Sequence, residues 1–167
     1  MKQTKIGPWT IEVDVDKTKE FYDKYHLITE DCDCDYCANY VLACDRFPSE
    51  MKDLFQSLGI DPRKEGEISE YMENQDSTHL YSAFYHMVGR IIEGPKLWTP
   101  SKKGSKVSTP SFVEYHGVEI GFSEDLALVP DGFPVPTIQF EIQMNVPWLL
   151  RRPVLNEQRL FNKGDSQ

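Results

Sequence analysis

The chain has 167 residues, 40% hydrophobic and 27% charged, which is one domain's worth of sequence with enough apolar surface to bury a core, and it excludes wholesale disorder. The formal charge is -9, and the excess is one-sided: residues 1–80 hold 18 acids against 9 bases, while residues 81–167 hold 9 of each. This balance argues against phosphate-backbone binding, so no nucleic-acid partner is expected; no apolar run approaches the length of a membrane-spanning helix, and no apolar segment follows residues 1–9 as a secretory signal requires.

Residues 9–15 alternate apolar and polar, which predicts a strand with Ile11, Val13 and Val15 toward the core and Glu12 and Asp14 toward water. Asp16 is the expected N-cap of a helix over 17–25 carrying Phe21, Tyr22 and Tyr25 on its apolar side. Residues 27–34 read as a short extended piece. Residues 36–46 have helical spacing, with Tyr36, Tyr40 and Cys44 at i, i+4 and i+8. Pro48 suits the first position of the next helix, which carries Met51, Leu54, Phe55 and Leu58 and stops at Gly59.

After a turn at Asp61-Pro62 the pattern changes to strands over 67–73 and 78–93, joined at 74–77. The second strand has Tyr81, Ala83, Tyr85 and Met87 on one face and Phe84, His86 and Val88 on the other, which predicts a central strand covered on both sides. Residues 94–111, rich in Pro, Lys, Ser and Thr, predict a long mobile loop without regular structure, pinned to the body by Trp98. Further strands are expected at 112–122 and 137–146, then a short helix at 154–162 and a frayed tail at 163–167. Helices first and strands later predict a single α+β domain over 1–162, its N-terminal helices packed on a mostly antiparallel sheet.

Cys32, Cys34, Cys37 and Cys44 fall in one short stretch. A secreted disulfide framework spreads its cysteines to tie distant segments, so reduced thiols and a cytoplasmic setting are expected. Three readings of the cluster stand side by side. As a metal site, Cys32, Cys34 and Cys37 converge if a loop runs into a helix at Tyr36, and thiolates point to zinc. Cys44 lies about two turns further on, so the fourth ligand would be His79, His86, His116 or water. As a redox site, Cys34 and Cys37 have C-x-x-C spacing at a helix start, which favours the thiolate, while the surrounding aspartates oppose it. As buried thiols, Cys37 and Cys44 occupy the core side of their helix with Tyr40 and Val41, and Cys32 and Cys34 alternate with acids as a half-buried strand does.

Tyr81, Phe84, Tyr85, Trp98 and Tyr115 are candidates to line an aromatic pocket. The acids Asp14, Asp16, Asp23, Glu30, Asp31, Asp33 and Asp35 form a candidate docking surface for a basic protein partner. No glycine-rich phosphate loop, Ser nucleophile elbow or His-Glu-x-x-His motif is present, so the sequence leans away from an enzyme.

Three local resemblances add expectations. Cys34-Asp35-Tyr36-Cys37 with Val135-Pro136-Thr137-Ile138 resembles the glutaredoxin motifs, which implies thiol redox chemistry beside a cis proline. Residues 14–22 resemble the strand-to-helix opening of vicinal-oxygen-chelate proteins. The pattern Cys-x-Cys-x-x-Cys-x-Asn-Tyr at 32–40, with Pro147-Trp148-x-Leu150, resembles a set of short uncharacterised bacterial proteins, some prophage-borne. That resemblance spans most of the chain and implies a bacterial cytosolic setting and a role beside toxins or phage functions. Two functions are therefore expected: an acidic interaction protein that neutralises a basic partner, as immunity proteins and antitoxins do, or a small zinc-binding domain organised by Cys32, Cys34 and Cys37.

Overall fold

A computed structural model describes residues 1–150 apart from Glu65 and Ser105; the helix expected at 154–162 and the tail at 163–167 lie outside the described residues. The chain opens with an antiparallel hairpin, β1 (Lys2–Ile6) and β2 (Trp9–Val13), turning at Gly7 with φ +57°. The sequence pattern reveals only β2, because β1 is an edge strand in which Ile6 alone is buried. Helix α1 (Val15–Lys24) starts two residues earlier than the pattern suggests. Its N-cap is Asp14, whose carboxylate accepts the Lys17 N–H at 3.0 Å, and Asp16 falls in the first turn.

The segment expected to be extended holds a single helical turn, α2 (Ile28–Asp31), ahead of α3 (Asp35–Cys44) and α4 (Ser49–Leu58). Pro48 is the N-cap of α4 rather than its first residue, and Gly59 ends the helix at φ +79°. A Cβ on Gly59 would lie 2.6 Å from the Val15 carbonyl oxygen, so both the turn and the approach of α1 require glycine.

The remaining strands are β3 (Glu67–Glu73), β4 (Thr78–Glu93), β5 (Trp98–Pro100), β6 (Ser108–Pro110), β7 (Val113–Tyr115), β8 (Val118–Ser123) and β9 (Thr137–Pro147). Of the nine strands among the described residues, seven form one antiparallel sheet in the order β1-β2-β4-β9-β8-β7, with β3 also paired to β4. The α+β class and the antiparallel sheet are as expected. The single strand expected at 112–122 is two, because His116 (φ +49°) and Gly117 (φ +83°) turn the chain back on itself. Residues 94–111 are not a structureless loop: β5 and β6 pair as a hairpin, and the Ser111 N–H bonds the Leu97 carbonyl at 2.8 Å. This hairpin lies on the sheet through Leu97, which sits over Gly121 where a Cβ would come within 2.4 Å of it. Trp98 pins it further, its indole N–H donating to Glu141 at 2.9 Å.

β4 is the spine of the sheet. Along one edge β3 pairs its first half, from Glu73↔His79 to Glu67↔Phe84, and β2 pairs its last part, from Val13↔Gly89 to Thr10↔Glu93. Between them α1 takes over the backbone groups. The Thr18 hydroxyl accepts the Val88 N–H at 2.9 Å and donates to the Asp14 carbonyl at 2.8 Å. The Tyr22 hydroxyl, one turn on, donates to the His86 carbonyl at 2.8 Å, and the Asp14 N–H donates to the Val88 carbonyl at 2.8 Å. Both side chains are fully buried as a result.

The odd-numbered face of β4 meets α3 and α4. Phe55 packs edge-on against Tyr85 and Phe140, with ring centroids 5.3 and 5.6 Å apart. Tyr85 donates its hydroxyl hydrogen to the Pro62 carbonyl at 2.8 Å, so in the Tyr40–Tyr85 hydroxyl pair Tyr40 is the donor. Tyr81 donates to the Tyr36 carbonyl at 2.8 Å, and Asn39 bridges the Pro147 carbonyl and the Leu149 N–H, fixing α3 to the end of β9. Among the described residues no helix is long and apolar enough to cross a membrane.

Candidate metal centre

Cys32 closes α2 in an extended conformation (φ -136°, ψ 120°), and Cys34 is the extended N-cap of α3 (φ -70°, ψ 158°). Two extended residues with one between them put both sulfurs on the same side, while the intervening Asp33 faces solvent. Cys37, in the first turn of α3, sends its N–H back to the Cys34 sulfur at 3.4 Å. The Cys32 and Cys34 sulfurs lie 3.2 Å apart, and all three Sγ atoms lie within 4.8 Å of one another. The convergence of Cys32, Cys34 and Cys37 is thus present. Cys32 and Cys34 are half-buried and Cys37 is buried.

The three thiols differ in electrostatics. The backbone N–H of Cys34, and then the thiols of Cys34 and Cys37, hold the Cys32 thiol below its ordinary value by stabilising the thiolate, against the charge of Asp33. Burial pushes the Cys37 thiol well up, and the two neighbouring sulfurs add to it. The sulfurs border a cavity of about 430 Å³ whose other walls include Tyr25, Tyr36, Glu67, Glu70 and Leu128.

Cys44 stands apart. Two turns down α3, it lines a different cavity of about 460 Å³ with Phe55, Asp61 and Arg63, and burial pushes its thiol up as well. The histidines do not complete the group. His79 bonds Glu70 at 3.1 Å and leans on Trp148 at 4.8 Å between ring centroids; His86 bonds Gln139 at 3.1 Å; His116 forms the β7–β8 turn. Among the described residues no histidine or carboxylate joins the three sulfurs.

Val135-Pro136 is a cis peptide, as the glutaredoxin resemblance implies, but the Pro136 carbonyl accepts the Gly89 N–H, and neither residue lines the thiol cavity. The seven acids expected to form a docking surface have several local roles. Asp14 caps α1, Asp23 pairs with Lys19 at 2.7 Å, Glu30 accepts the Leu27 N–H, and Asp31 meets His26 at 2.6 Å. Asp35 is buried, while Asp16 and Asp33 are exposed.

The aromatic pocket expected from Tyr81, Phe84, Tyr85, Trp98 and Tyr115 does not form as one unit. Strand alternation puts Tyr81 and Tyr85 under the helices, and Phe84 and Trp98 line a cleft on the opposite face without Tyr115. That cleft also contains Gln139, Glu141 and Gln143, a polar alternation in β9 that the sequence displays but that carries no motif marking it as a site. Compared with known protein families, with curated proteins and with solved structures, the chain matches none.

Proposed function

We propose that the protein binds a zinc ion through Cys32, Cys34 and Cys37. The supporting observation is the convergence of three sulfurs from one short segment. Zinc–thiolate bonds of about 2.3 Å in a tetrahedron place sulfurs roughly 3.8 Å apart, a spacing that small side-chain rotations reach from the present arrangement. Three thiolates favour a soft or borderline cation over magnesium or calcium. The fourth position belongs to water or an exogenous ligand on the cavity side, because among the described residues no further His, Cys, Asp or Glu ligand atom joins the three sulfurs, which lie within 4.8 Å of one another. Binding removes the thiol protons, most easily at Cys32 and against the greatest resistance at the buried Cys37.

Elemental analysis of protein purified under reducing conditions tests this. One zinc per chain is expected, lost when Cys32, Cys34 and Cys37 are changed together to Ser and kept when only Cys44→Ser is made. A metal-free wild type that stays metal-free after incubation with zinc, and whose stability is unaltered by the triple change, overturns the assignment.

A second reading rests on Asp16 and Asp33, which are exposed and form no ion pair among the described residues. With Glu30 they give the helical end of the molecule an acidic surface suited to a basic protein partner of the immunity or antitoxin kind. Such association slows as salt rises. Capture of a basic partner that Asp16→Asn/Asp33→Asn abolishes supports it; identical capture by the variant refutes it.

A further inference from the structure

The face of the sheet away from α3 and α4 carries a second constellation, independent of the thiols. The register places Glu141 of β9 opposite Phe84 of β4, and Gln143 opposite Ser82. The β5–β6 hairpin and residues 125–127 wall this patch into a cleft of about 650 Å³, within the usual range for a small-molecule site.

Glu141 is only 7% exposed, and its carboxylate is used on one side. Oε2 accepts the Trp98 indole N–H at 2.9 Å and the Gln139 amide at 3.2 Å. Oε1 accepts nothing from the described residues. The orientation of the network is determined. Gln139 accepts the Ala127 N–H on its oxygen at 2.9 Å, so its nitrogen is the one that faces Glu141. The same oxygen lies 3.1 Å from His86 Nε2, so that nitrogen carries a hydrogen. Trp98 and Gln139 therefore hold the carboxylate in place directly, with His86 behind Gln139.

The lining shows what is missing. Among the described residues it contains three carboxylates, Glu67, Asp125 and Glu141, and no Lys or Arg. Its apolar walls are largely aromatic: Tyr71, Phe84, Trp98 and Phe112. Ring faces attract cations, and an N–H donor fits the open side of a fixed carboxylate. We propose that this cleft binds a small organic cation, a primary ammonium or guanidinium group on a short apolar body, anchored on Oε1 of Glu141. An anion would meet three negative charges. A quaternary ammonium has no hydrogen to give Oε1. A hard metal ion needs several converging oxygen ligands, and among the described residues the carboxylates of this cleft do not converge as a group of three.

The test uses the full chain with phenethylamine as the probe and 2-phenylethanol as its neutral isostere, followed by calorimetry and by the Trp98 indole N–H resonance. The ammonium should bind at least about tenfold more tightly than the alcohol, the size of one charge-assisted hydrogen bond, and should shift the Trp98 signal. Glu141→Gln, which keeps an acceptor for Trp98, should remove that preference. Equal binding of amine and alcohol, or a shift confined to Trp9 and Trp148, overturns the proposal. The wild-type comparison decides the matter even if the variant fails to fold.

Discussion

Thr18 shows how much one hydroxyl carries in this structure. It completes the hydrogen bonding of Val88 on one side and returns its own hydrogen to Asp14 on the other. Thr18→Val keeps the shape and leaves a buried N–H without a partner, so we expect a loss of about 1–3 kcal/mol in denaturant unfolding, with Thr18→Ser recovering most of it. Glu141 offers a test by pH. Burial, with Asp125 acting in the same sense, raises its carboxyl above the ordinary value, while Trp98, Gln139 and His86 oppose the rise and Glu67 is a further acid in the cleft. The unfolded chain ionises first as pH rises, so this group lowers stability progressively through and above the ordinary carboxylate range. Glu141→Gln removes that loss. Its stability relative to wild type should improve as pH rises through and above the ordinary carboxylate range, and a gap that does not change with pH contradicts the assignment. Tyr22 was legible as a buried helix residue from its spacing, but the role of its hydroxyl was not, because it depends on a break in strand pairing more than sixty positions away.

The elements were legible where their own periodicity is strong. α3 and α4 show apolar spacing over three turns, and β4 and β9 alternate over many residues. β1 was missed because an edge strand buries little, and β5 and β6 were missed because each is three residues long and ends in proline. The thiol site was legible for a related reason: its three sulfurs come from six consecutive positions, where local backbone geometry decides the outcome. The Glu141 cleft draws on β3, β4, β9 and a distant hairpin, and only the sheet register brings them together. The hairpin itself depends on Gly121. Gly121→Val would drive a side chain into Leu97, so tryptic cleavage at Lys102, Lys103 and Lys106 should become faster than in wild type, as peptide mapping would show. Unchanged cleavage kinetics would mean that Leu97 does not seat the hairpin.

At the level of the molecule, the change from helical to alternating pattern after Gly59 foretold the class but not the wiring. β9, the last strand, lies in the middle of the sheet between β4 and β8, and the N-terminal hairpin joins β4 from the other side. Folding therefore requires pairings between the two ends of the described chain, and neither half contains the complete core. Charge is divided as well. The acidic first half surrounds the thiols, where Asp33 opposes the thiolate and a bound cation would offset it. Metal binding should therefore raise the melting temperature of the whole protein and not of the helical end alone, measurable as a single shifted transition on adding zinc.

Without α1, the stretch of β4 between its two partner strands would be an open edge that another polypeptide could join. Unpaired strand backbone is a template for aggregation, and here a helix closes it with two alcohols and one amide where a strand would otherwise lie. α1 is thus a guard against self-assembly as well as a packing element. Removing both hydroxyls, as Thr18→Val with Tyr22→Phe, should make light scattering rise with concentration more steeply than in wild type.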